Sequence, residues 1–141
     1  MPNWSKSFET YVKLSEKQRL GIGLKANELL SKEIVKLSEE GLRPMVYMMV
    51  LAPFASLDEE LSKKEFEYIR QVTGYPDEYL RYLDIVKKGK DDKLASFFQI
   101  YFKKVGGDIF TAYLSLALAI LTIKGEIKEE DQKLIEKIYN E

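Results

Sequence analysis

From Phe110 to Ile123 the chain reads FTAYLSLALAILTI, without one charged residue. A helix that is apolar on every side must be enclosed, either by lipid or by other protein. Its fourteen residues fall short of the roughly 20 that a membrane span requires. The run is therefore read as a buried central helix, and the rest of the chain has to supply the enclosure.

An earlier run has the same character. MVYMMVLAPFA (residues 45–55) aligns with TAYLSLALAIL (111–121) at a constant offset of 66. Behind each run comes an acidic turn and a charged, amphipathic segment, LDEELSKKEFEYI (57–69) and IKGEIKEEDQKLI (123–135). At the same offset Leu61 falls on Ile127, Glu65 on Asp131 and Ile69 on Ile135. The expected unit is a central helix, an acidic turn, and an amphipathic helix folded back over it, spanning about 42–74 and again 108–140. Two such units are expected to pair about a pseudo-twofold axis, with central helices touching and acidic turns at related positions.

Helical period pervades the remainder, and no segment alternates as a strand would. Ser15 and Gln18 form an S-x-x-Q capping box that opens a long helix through about Glu40, ended by Gly41. Leu20, Leu24, Leu30, Ile34 and Leu37 are its expected core positions, while Gly21 and Gly23 weaken its first turns. Pro44 suits a first helical turn and Pro53 should bend or end that helix. Ser62 and Glu65 read as another capping box, for a helix that runs to Gly74. Further helices are expected from Pro76 to about Lys88, from a cap at Asp91 or Asp92 to the Gly106-Gly107 pair, from a cap at Asp108 to about Lys124, and from about Lys128. The sum is an all-α, single-domain bundle (1–141) of about seven helices. Residues 1–14 add a short helical extension, in which Trp4, Phe8 and Tyr11 form an aromatic face that docks on the core or makes a dimer seam.

Composition removes several functions. The chain has no cysteine and no histidine, hence no disulfide frame, thiol nucleophile, imidazole base or imidazole metal ligand. Acid–base chemistry would fall to carboxylates, Lys or Tyr, and no catalytic motif is present. A formal charge of −1 gives no global attraction to nucleic acid. The start MPNWSKSFETYVK lacks the apolar core of a secretion signal, so a cytoplasmic location is expected. GIG at 21–23 lacks the third glycine and the preceding strand of a dinucleotide fingerprint.

An apolar helix running into a turn patterned A-D-G-x-[IL]-x-x-x-E, twice in one helical chain, resembles the tellurite-resistance protein B (TerB-like) family over roughly Leu42 to Tyr139. In the first turn Asp58 holds the Asp position and Glu65 the Glu position, with Glu59 where glycine is expected. In the second, Gly125 is present, Lys124 replaces the Asp and Asp131 the Glu. The resemblance implies a compact helical fold, a link to stress responses, and an acidic surface able to hold metal.

The acidic turns admit two readings. In one, Asp58, Glu65, Glu126 and Asp131 converge on a divalent cation, Ca²⁺ or Mg²⁺, which take oxygen ligands. An EF-hand does not fit, because counting from Asp58 its twelfth position is Ile69 and its sixth is Lys63. In the other, Glu65, Asp131, Glu129 and Glu130 serve their helix N-termini by capping and charge–dipole attraction. Lys124 then acts as a pairing residue for Asp131 or Glu65 and repels an incoming cation.

The expected function is a non-enzymatic module that works through protein contacts in a stress or envelope-associated process. Its contact surface is the acidic one, with Glu59, Glu60 and Glu130 beside the four candidate ligands. A carboxylate-dependent metal protein or hydrolase on the same residues is the first alternative. The second is a membrane-surface adaptor built on residues 79–104, where seven basic residues face three acids. Nucleic-acid binding by that stretch is not expected, since Phe98, Tyr101, Phe102 and Val105 have the spacing of a core face.

Overall fold

The computed structural model describes residues 3–75, 78–91 and 94–140. Eight α-helices and no strand occur among them: α1 (Trp4–Val12), α2 (Glu16–Leu37), α3 (Arg43–Leu51), α4 (Glu59–Thr73), α5 (Tyr79–Asp91), α6 (Leu94–Val105), α7 (Gly107–Leu121) and α8 (Glu129–Asn140). Single 3-10 turns at Glu40–Leu42 and Ala52–Phe54 precede and follow α3. The second contains Pro53 and ends the helix there, as a residue without an N–H should. The helix start expected at Pro76 and the cap expected at Asp92 lie outside the described residues.

Helix α2 organises the bundle. The Ser15 hydroxyl accepts the Gln18 N–H at 3.1 Å and the Gln18 side chain accepts the Ser15 N–H at 2.9 Å, so the capping box is formed. The helix stops at Leu37, short of the expected Glu40. Its buried face is Arg19, Gly23, Ala26, Leu30, Glu33 and Ile34, a stripe at three- and four-residue steps. Leu24, expected in the core, is 44% exposed, because the buried stripe passes through Gly23 instead. Small residues let neighbouring helices approach: a Cβ on Gly23 would sit 2.4 Å from the Tyr68 hydroxyl and 2.6 Å from Val72 of α4. The Tyr68 hydroxyl donates to the Arg19 carbonyl at 2.7 Å, pinning α4 across α2.

The apolar run forms α7 and is enclosed as its composition demands. Ala112, Tyr113, Leu114 and all of Leu116–Leu121 are buried. Its closest partner is α2, and it reaches the first apolar run chiefly through Phe54, whose ring lies 5.6 Å from that of Tyr113. The expectation of two central helices in direct apposition is corrected accordingly. Nor does each amphipathic helix lie mainly on its own apolar helix: α4 packs chiefly on α2 and α5, and α8 on α1 and α6. The reason is the 22-residue length of α2, whose long groove accepts both α7 and α4.

The ends close as their sequences direct. α1 docks through Phe8, which is fully buried, and through Trp4, whose ring meets Tyr139 of α8 edge-on at 5.4 Å. Positive φ at Gly74 ends α4, and Gly106 and Gly107 (φ 67° and 55°) turn α6 into α7. Gly106, not Asp108, holds the N-cap of α7.

Candidate functional site

The two acidic turns face a common cleft of about 600 Å³. Asp58, Glu60 and Glu65 line it from the first turn and α4, and Glu126, Glu130 and Asp131 from the second turn and α8. Lys64, Lys124 and Lys128 line it as well, so six carboxylates stand against three ammonium groups. All four candidate ligands and Lys124 are thus brought together. Glu60 and Glu130 join them, while Glu59 lies in an adjoining shallow depression with Asp58, Glu60 and Lys63.

In the first turn Ser56, Asp58, Ser62 and Glu65 each have a local task. Asp58, not Ser62, is the N-cap of α4, and its carboxylate accepts the Leu61 N–H at 3.0 Å. The Ser56 hydroxyl accepts the Asp58 N–H at 3.0 Å, which holds Asp58 in the extended conformation a cap needs. With the helix starting one turn earlier than expected, Glu65 is not at its N-terminus. It is 2% exposed, and its carboxylate instead accepts the Ser56 N–H at 2.7 Å, latching the turn to α4. The Ser62 hydroxyl sits 2.6 Å from the Tyr79 hydroxyl, tying α4 to α5.

The second turn is built differently. Gly125 takes φ 80° where the chain reverses, and α8 opens with Glu129, Glu130 and Asp131, three acids in its positive first turn. The Lys124 ammonium is ion-paired with Asp131, with side-chain exposures of 16% and 11%. Glu126 pairs at the rim with Lys128 at 3.6 Å. Burial raises the attraction within the Lys124–Asp131 pair against the cost of desolvating both charges, and makes the loss of one partner costly. Among the described residues no three acidic side chains are grouped closely enough to hold a metal ion.

A buried guanidinium, which the sequence does not distinguish, supports this second turn from below. Arg19 is 8% exposed, and it donates to the Ala119 carbonyl and the Thr122 hydroxyl, both at 2.6 Å, and to the Tyr11 carbonyl at 2.8 Å. Thr122 in turn donates to the Leu118 carbonyl at 2.7 Å. The cation therefore closes the C-terminus of α7, where the helix dipole favours it, immediately before the turn that carries Lys124. Burial lowers the Arg19 pKa from its usual value, and raises that of the Tyr68 phenol beside it. A third buried acid, Glu33, is held below the ordinary carboxylate range by its hydrogen bond from Lys36, and accepts the Tyr101 hydroxyl at 3.1 Å. Neither Arg19 nor Glu33 belongs to a sequence motif.

No family model matches the chain, and neither does any curated protein or solved structure.

Proposed function

We propose that this chain is a non-enzymatic helical module of TerB-like type that acts through protein contacts in a stress or envelope-associated process, with the cleft between its two acidic turns as the contact surface. The observation that carries the reading is the cleft itself, to which both turns contribute carboxylates. A diverged internal duplication accounts for it. Four pairs 66 residues apart are buried together: Tyr47 and Tyr113, Glu65 and Asp131, Ile69 and Ile135, Val72 and Ile138. The buried members hold the fold, and the exposed acids Asp58, Glu60, Glu126 and Glu130 are left to meet a partner. A partner with clustered Lys or Arg fits that charge.

Divalent cation binding is the subordinate reading. Carboxylates from both turns in one cleft favour it; their spacing, with no three grouped closely enough among the described residues, and the Lys124 ammonium, already ion-paired with Asp131, oppose it. The test uses the intact protein and the variant Glu60→Lys/Glu126→Lys/Glu130→Lys, all at exposed positions. Partners cross-linked to the wild type in cells of origin should be lost by the variant, with only the small fall in melting temperature that placing lysines in the first turns of α4 and α8 entails. Retention of the same partners by the variant would refute the contact surface. Millimolar Ca²⁺ or Mg²⁺ that raises the wild-type melting temperature, and does so less in the variant, would instead favour the cation.

A further inference from the structure

Helix α6 is apolar on two sides, and only one of them is used. Phe98 and Phe102 are 7% and 0% exposed, and Phe102 stacks on Tyr113 with ring centroids 5.0 Å apart. On the opposite side Phe97 and Ile100 remain 53% and 58% exposed. They lie three residues apart and so share a face, which Lys104 continues one turn further on. Val105, at the helix end, is 43% exposed. A helix apolar on two sides calls for cover on both, and here Phe97 and Ile100 stand exposed side by side.

We propose that this outer face of α6 seats in an anionic lipid surface. The charges around it select that occupant. Residues 94–105 contain two lysines, Lys103 and Lys104, and no acid. Over 79–104 the excess is seven bases to three acids in a chain of net charge −1, so positive charge is concentrated on this side of the sequence and negative charge at the acidic turns. Lysines flanking a short apolar stripe suit a helix lying in the headgroup region, its stripe among acyl chains and its ammonium groups among phosphates. At 12 residues the helix covers about 18 Å, a length for lying in an interface, and no helix among the described residues is long and apolar enough to cross one. A second copy in parallel register would bring like-charged lysines to one seam, and an antiparallel pair is distinguished by the test below. Nucleic acid fits less well, because Ile100 offers no ring for a base to stack upon.

The experiment is vesicle flotation of the full chain with phosphatidylcholine alone and with phosphatidylcholine containing anionic phosphatidylglycerol, at low and high salt. Wild type is expected to float with the anionic vesicles and to be released by salt. Phe97→Ser/Ile100→Ser and Lys103→Gln/Lys104→Gln should each weaken binding by about tenfold or more, while circular dichroism and melting temperature stay near wild type. Absence of flotation with anionic vesicles overturns the proposal, as does flotation that the two double variants leave unchanged. So does a wild-type dimer by light scattering that Phe97→Ser/Ile100→Ser converts to monomer, or retardation of DNA or RNA at low salt without lipid binding.

Discussion

Arg19→Met should lower the free energy of unfolding by about 3 kcal/mol. The substitution keeps the aliphatic length and removes three hydrogen bonds from a charged donor, to Ala119, Thr122 and Tyr11. Two of the acceptors are backbone carbonyls, that of Ala119 buried and that of Tyr11 partly so, and both are left without that donor. An opposing gain exists, because the cost of burying a guanidinium, seen in its lowered pKa, is no longer incurred. It is smaller than the loss, since methionine cannot satisfy what remains. Urea unfolding measures the change. A variant within about 0.5 kcal/mol of wild type would mean that the last turn of α7 is closed by other means. Amide exchange should locate the damage in residues 118–126, so that the same variant also loosens the second acidic turn.

The other large effect is steric. Gly23→Ala places a methyl group 2.4 Å from the Tyr68 hydroxyl and 2.6 Å from Val72. Both belong to buried side chains of α4, so the helices must separate or Tyr68 must give up its bond to the Arg19 carbonyl. Overpacking of this kind costs about 1–3 kcal/mol, and the lost hydrogen bond places this site at the upper end. The melting temperature should fall by on the order of 10 °C in a chain of this size. Gly21→Ala is the control. It lies two residues away on the same helix with nothing within 4 Å of the new methyl, and should stabilise by about 0.5–1 kcal/mol through helix propensity alone. If both alanines stabilise, the close approach of α2 and α4 is wrong.

These two positions also show what could and could not be read from the sequence. The all-α class follows from helical period and caps, and the enclosure of Phe110–Ile123 follows from its composition, because both signals are local. The face of α2 is another matter. Its buried stripe includes Arg19, Gly23 and Glu33, residue types that ordinarily mark a surface, so Leu20 and Leu24 stand out in their place. A charge is buried there only because the ends of α7 and α1 bring carbonyls to meet it, and that convergence is tertiary. At the start of α4 the sequence points to Ser62, and Asp58, four residues earlier, holds the cap. Ser56 decides between them by fixing the backbone of Asp58, a contact from outside the helix. In the acidic turns the candidate residues were visible and their tasks were not. Asp58, Glu65 and Asp131 are candidate ligands when only charge is read, and geometry adds a local partner for each, as a cap, a latch and an ion pair.

The most direct test of the shared cleft uses the absence of cysteine. A nitroxide attached through Glu126→Cys, an exposed position, can be read by paramagnetic broadening of backbone amide signals. With both turns lining one cleft, the label should broaden residues 56–61 of the first turn as well as its own neighbours, and reduction of the nitroxide should restore them. Full-intensity signals at 56–61 beside a broadened second turn would contradict the account.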